Sequence, residues 1–81
     1  VLISASAEKT LKSIPKKDVI KIITLAQSLS LNPYPVGYRK LSGEDSTYRV
    51  RQGNYRIIYE VDGRKLIILV LKIGHRKDIY R

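Results

Sequence analysis

An 81-residue chain with a formal net charge of +9 and a pI near 10 has room for one small domain, and its charge points to an anionic partner. It has no cysteine, which excludes disulfides and thiolate metal sites, and its single histidine and scattered carboxylates leave no metal or cofactor expected. Its longest apolar run, 66–71, is far short of the ~20 residues that cross a bilayer, so no membrane partner is expected and a reducing, cytoplasmic location fits.

VLIS at 1–4 reads as a short strand, too brief for the apolar centre of a secretory leader. Its opening on Val inside a strand leads one to expect a few residues upstream. Ser4 or Ser6 can cap a helix running to about Ser13, with Ala7, Leu11 and Ile14 at helical spacing. Pro15 suits the first turn of a second helix, where its missing N–H costs nothing. Val19, Ile22, Ile23, Ala26 and Leu29 form that helix's apolar stripe, and Asn32-Pro33 stops it. The two helices read as a hairpin or kinked pair.

Residues 32–46, NPYPVGYRKLSGEDS, read as loop, with Leu41 as an anchor into the core. Three strands are then predicted, at 47–52, 55–61 and 65–73. Gly53-Asn54 between the first two has a type II′-like signature, and Asp62-Gly63 after the second a type I′ signature. The expected architecture is α+β: a short N-terminal strand, a helical hairpin, then a three-stranded antiparallel meander forming one sheet with the helices on one face, all in a single domain.

Two-residue turns fix a register. The first pairs Gln52 with Tyr55, Arg51 with Arg56, Val50 with Ile57, Arg49 with Ile58 and Tyr48 with Tyr59. The second pairs Val61 with Arg64, Glu60 with Lys65, Tyr59 with Leu66 and Arg56 with Leu69. Alternation then sorts Tyr48, Val50, Ile57, Tyr59, Val61, Leu66, Ile68 and Val70 onto an apolar, helix-facing side. Arg49, Arg51, Arg56, Ile58, Glu60, Lys65, Ile67, Leu69 and Leu71 fall on the other, a mixed face with the arginines gathered at the Gly53-Asn54 end. A bulge would shift the register by a residue and flip the faces.

Like charges facing each other across a sheet are destabilising by up to roughly 1 kcal/mol, so Arg51–Arg56 asks for a reason. The third strand outruns the second, which should bring His75, Arg76 and Tyr80 of the tail GHRKDIYR to the same corner. A solvated face is the simpler account of any single arginine, but a weaker account of a facing pair. Lys77 and Arg81 read as a basic tail that steers phosphates, and Arg39 and Lys40 as solvated or peripheral RNA contacts. Tyr48, Tyr59 and Tyr55 read as core, while Tyr34 and Tyr38 have no assignable role.

The run YRVRQGNYRIIYEVDGRKLIILVLKIGHRKDIYR resembles the C-terminal half of the RelE/ParE superfamily, toxins of bacterial and archaeal toxin–antitoxin pairs. The NP…G…KLSG loop and the helical hairpin extend the resemblance over essentially the whole chain. It implies a RelE-like fold and, on the RelE side, a ribosome-dependent, metal-independent endoribonuclease that cuts mRNA and inhibits translation. There the RNA 2′-hydroxyl attacks the adjacent phosphate, leaving a cyclic phosphate and a 5′-hydroxyl.

The family's basic and aromatic site residues fall on Arg49, Arg51, Arg56, Arg76 and Tyr80 of this sequence. The resemblance implies Arg51, Arg56, Arg76 and Tyr80 as catalytic, and Arg49, His75, Lys77 and Arg81 as RNA-binding. Arg49 and Arg51 stand where well-studied relatives carry lysine, and arginine does not deprotonate at usable pH. The proton acceptor is then His75 or, preferably, Tyr80 as phenolate; Arg56 and Arg76 would meet transition-state charge and Arg51 would position the phosphate.

The other branch implies a ParE-like inhibitor of DNA gyrase, and a third reading is an RNA-binding module that does not cut. The partner implied throughout is a cognate antitoxin, acidic and partly disordered, suited to a +9 surface.

Overall fold

A computed structural model describes residues 1–41, 46–63 and 67–75. The chain runs β1 (Leu2–Ile3), α1 (Ala5–Leu11), α2 (Lys16–Ser28), β2 (Arg39–Lys40), β3 (Thr47–Gln52), β4 (Tyr55–Asp62) and β5 (Ile67–His75). The α+β class expected from the sequence holds. Its strand inventory does not: the meander β3–β4–β5 lies inside a five-stranded sheet of order β1-β5-β4-β3-β2.

Ser4 settles how the chain leaves β1. Its hydroxyl accepts from the Ala7 N–H at 3.1 Å, capping α1, while its own N–H donates to the Val70 carbonyl at 2.9 Å. One residue thus closes the parallel β1–β5 ladder and opens the helix. The helix proper ends at Leu11, short of the expected Ser13, and i→i+3 turns carry the chain on to Ile14. Pro15 sits one position earlier than expected, as the cap of α2, and its carbonyl accepts from Asp18 and Val19. At the far end the Asn32 side chain accepts from the Tyr34 N–H at 3.1 Å, turning the chain away from the helix.

Ala7, Ile22, Ala26 and Leu29 of the helices close on Val50, Ile57, Tyr59, Ile68, Val70 and Ile73 of the sheet. These belong to the predicted stripe and inner face, with Ala7 of the first helix and Ile73 added; Tyr48 and Val61 of that face are partly buried, and Leu66 lies outside the described residues. Val19 and Ile23 lie at the border, half-buried.

The first hairpin has the register read from the sequence, from Gln52–Tyr55 through Arg51–Arg56 to Tyr48–Tyr59. Gly53 takes φ +59°, the left-handed region that the first position of the turn demands.

The second hairpin differs. Asp62 pairs with Ile67 and Val61 with Ile68, not Val61 with Arg64, so Asp62-Gly63 does not form the expected two-residue turn. The longer connection preserves parity, and Ile68 and Val70 still face inward. A bulge follows: Tyr59 pairs with Val70 but Ile58 with Lys72, leaving Leu71 as the extra residue. Strict alternation after Val70 would have turned Lys72 inward and Ile73 to solvent. With the bulge, Lys72 is exposed and Ile73 is 3% exposed.

Two further departures concern strands. β1 joins the sheet as a parallel neighbour of β5. β2, inside the segment read as loop, pairs Arg39 with Arg49 and Lys40 with Tyr48 at the opposite edge.

Candidate functional site

Residues directly opposite in an antiparallel ladder share a face. One row on the face away from the helices therefore runs Arg39, Arg49, Ile58, Lys72 across four strands, and the next runs Arg51, Arg56, Gly74. No carboxylate enters either row. Arg39, Arg49 and Arg51, together with Val36, Gly37 and Val50, line an open groove of about 320 Å3. Partial burial, and then the charges of Arg51 and Arg39, pull the Arg49 guanidinium below its ordinary range. It remains a cation at neutral pH, so the groove is a repulsive cluster that a polyanion would relieve.

The predicted site residues divide. Arg49 and Arg51 lie together as expected, and Arg51 faces Arg56 across the ladder. Arg56, however, is 3% exposed and is not a surface charge. As placed, it offers a ligand no accessible guanidinium, and direct contact in the groove falls to Arg39, Arg49 and Arg51.

His75 is not among the arginines. The bulge puts it opposite Tyr55 on the helix side, the two rings 5.9 Å apart and edge to face. It lines a separate recess of about 320 Å3 with Thr10, Ser13, Ile14, Tyr55, Ile73 and Gly74. The expected convergence of imidazole and guanidinium groups on one corner fails, because the sheet lies between them. Arg76, Lys77, Tyr80 and Arg81 lie outside the described residues. Among the described residues no three His, Cys, Asp or Glu side chains are grouped as metal ligands.

Arg39, expected as a solvated or peripheral RNA contact, lines the groove itself; its one signal in the sequence is the parity that a β2–β3 pairing gives it with Arg49. The tyrosines of the loop also have a place. Tyr34 packs against Tyr38 (ring centroids 5.4 Å apart) and edge-on to Tyr48 (5.2 Å), and Tyr48 in turn lies 5.9 Å from Tyr59. Tyr59 is fully buried and donates its hydroxyl to the Pro33 carbonyl, pinning the loop that leads to Arg39. Burial first, then the neighbouring tyrosines, pushes its phenol up to about 12. Hydrogen bonding with Tyr48 pushes the Tyr34 phenol up as well, and the nearby Lys40 ammonium pulls the other way.

The family described as "ParE toxin of type II toxin-antitoxin system, parDE" matches residues 1–80. The chain belongs to this toxin family. Toxin RelE3 of Methanocaldococcus jannaschii is 39% identical over 84 residues, spanning 99% of this toxin and 93% of the relative. Toxin RelG of Mycobacterium tuberculosis is 32% identical over 85 residues, spanning 100% and 94%. A RelB–RelE antitoxin–toxin complex from Methanococcus jannaschii superposes with a TM-score of 0.80 at 30% identity, covering 99% of this toxin and 95% of that chain. A RelE–RelB complex from Pyrococcus horikoshii gives a TM-score of 0.80 at 32% identity, covering 91% and 90%. The matching family is named for ParE, whereas these relatives carry Rel names. Both agree on a type II toxin of the RelE/ParE superfamily, and the relatives set it on the RelE side.

Proposed function

We propose that this toxin is a ribosome-dependent mRNA endoribonuclease, held inactive by a cognate antitoxin. The observation that carries the reading is the groove in which Arg39, Arg49 and Arg51 stand together on the open face with no carboxylate in their rows. Such an array suits an RNA backbone, whose phosphates take bidentate contacts from guanidinium groups.

The chemistry proposed is attack by the 2′-hydroxyl on the adjacent phosphorus, breaking the P–O5′ bond to leave a 2′,3′-cyclic phosphate and a 5′-hydroxyl. No metal need take part if cations meet the phosphorane charge and a side chain takes the 2′ proton. Arg51 and Arg49 would position the phosphate. Arg76 would meet the developing charge from the tail, Arg56 would act from beneath, and Tyr80, as phenolate, would take the 2′ proton while the departing 5′ oxygen takes a proton from water. Lys77 and Arg81 would steer the backbone. His75 is left out of the acceptor role, since it faces the helices; any RNA contact it makes would come from that side.

The antitoxin proposed is acidic and partly disordered, complementary to +9. Support comes from relatives whose structures are complexes of RelE with RelB. No helix among the described residues is long and apolar enough to cross a membrane, and a cytoplasmic site of action accords with the proposed target.

The ParE name of the matching family favours a second reading, inhibition of DNA gyrase without nuclease activity. Two assays separate them: mapping mRNA 5′ ends on translating ribosomes after induction, and supercoiling by purified gyrase. New 5′ ends with normal supercoiling are expected; intact mRNA with blocked supercoiling would reverse the assignment.

A further inference from the structure

The arginine groove and the tyrosine cluster meet at one edge of the sheet. Arg39 and Lys40 make up all of β2, a two-residue edge strand. Arg39 turns to the groove, in register with Arg49, and Lys40 turns to the helix side, in register with Tyr48. Just before them in sequence, Tyr34 and Tyr38 are 45% and 39% exposed although their rings pack on each other and on Tyr48. Val36, between them, is wholly exposed and lines the groove. One continuous surface therefore passes from three guanidinium groups, over an edge strand bearing a cation on each side, to two half-exposed aromatic rings.

We infer that Tyr34 and Tyr38, with Lys40, form a nucleobase-stacking subsite for single-stranded RNA whose phosphates lie along Arg39, Arg49 and Arg51. The inference rests on the RNA reading above and adds base recognition to it. A basic track beside aromatic rings is the arrangement by which proteins hold single strands, the phosphates on the cations and the bases on the rings. Packing accounts for part of each ring. It does not explain why a loop fixed from below by the buried Tyr59 hydroxyl leaves Tyr34 and Tyr38 half-exposed next to Arg39 and Lys40 in the chain. The rings are held by one another and by Tyr48, so a base would meet a rigid platform with little ordering left to do.

The test uses the intact toxin and short 2′-O-methyl oligonucleotides, which lack the attacking hydroxyl and are not cut by the proposed chemistry. Each oligonucleotide is compared with an abasic analogue of equal length and charge. Tyrosine emission is readable because the chain has no tryptophan, and quenching that is lost in Tyr34→Ala/Tyr38→Ala is the part due to stacking there. The expected result is tighter binding of the base-bearing strand with quenched emission. Tyr34→Ala/Tyr38→Ala should then bind that strand about tenfold or more weakly and the abasic strand unchanged. Tyr34→Phe/Tyr38→Phe, which keeps the rings, should retain the preference; circular dichroism checks that each variant is folded. Equal affinity of wild type for both strands, or an undiminished preference in the folded alanine variant, overturns the stacking subsite and leaves the groove intact. Absence of salt-sensitive binding to either strand overturns the subsite, and together with intact mRNA on translating ribosomes after induction it overturns the RNA reading itself.

Discussion

Arg51 and Arg56 stand directly opposite each other across the β3–β4 ladder, yet Arg51 is exposed and Arg56 is 3% exposed. Two surface guanidiniums would have fanned apart into water, and deleting either would have relieved repulsion. Here the pair is split between a surface cation and an interior one. Arg56→Ala should therefore lose about 2 kcal/mol in urea unfolding, as expected when a buried, engaged polar side chain is removed. Arg51→Ala should stay within about 0.5 kcal/mol of wild type. An Arg56→Ala protein as stable as the parent would return that side chain to the surface.

The groove predicts a salt signature. Each single-strand phosphate contact contributes about 0.7 to the slope of log K against log salt. Removing Arg39, Arg49 or Arg51 singly should lower the measured slope for an uncleavable RNA by about that amount. Lys12, exposed at the end of α1, is the control and should leave the slope unchanged.

Tyr59→Phe deletes the hydroxyl that holds the Pro33 carbonyl and should cost about 1 kcal/mol at neutral pH. The substitution also changes the alkaline limb. The native phenol sits at about 12, above its ordinary 10.0, so folding favours the neutral form. That contribution is fully present below about pH 10 and is lost as pH rises through about 12. Wild type should lose more stability than Tyr59→Phe between those limits, measured as the difference in urea midpoints. Parallel profiles would show that the hydroxyl is not protected by folding.

The bulge at Leu71 makes an ordering prediction. Ile73→Ala should cost about 3 kcal/mol, as a buried aliphatic truncation does, and Lys72→Ala about 0.5 kcal/mol or less. An unbulged strand would reverse the order, because Lys72 would then point inward.

Local signals carried most of what was legible in the sequence. Ser4 beside a helical stripe, Asn32-Pro33 after it, and Gly53-Asn54 between alternating runs each determine structure within a few residues. The first hairpin's register accordingly matches the sequence reading, and the helices form where expected, with α1 ending at Leu11 and not Ser13 and Pro15 capping α2. The second hairpin did not, because Asp62-Gly63 is a turn signal whatever the length of the connection. The bulge is decided by which of Lys72 and Ile73 the core accepts, which no short window contains. β2 is too short to alternate and exists only through its pairing with β3. At the site, alternation placed Arg49, Arg51 and Arg56 on one face. It could not say that Arg56 would be covered, nor that a bulge would carry His75 to the other side.

The parallel β1–β5 ladder, which Ser4 extends through the Val70 carbonyl, joins segments separated by most of the chain. Leu2 and Ile3 have no neighbour in the sheet until Leu69 and Val70 have been synthesised. A contact of such sequence separation closes a long loop and comes late in folding. During translation the nascent toxin therefore carries an unfinished sheet until β5 emerges, with β4 lacking one of its two partners and β1 lacking its only one. Completion of the sheet, and of the arginine rows that end on β5, is timed by the emergence of β5 from the ribosome.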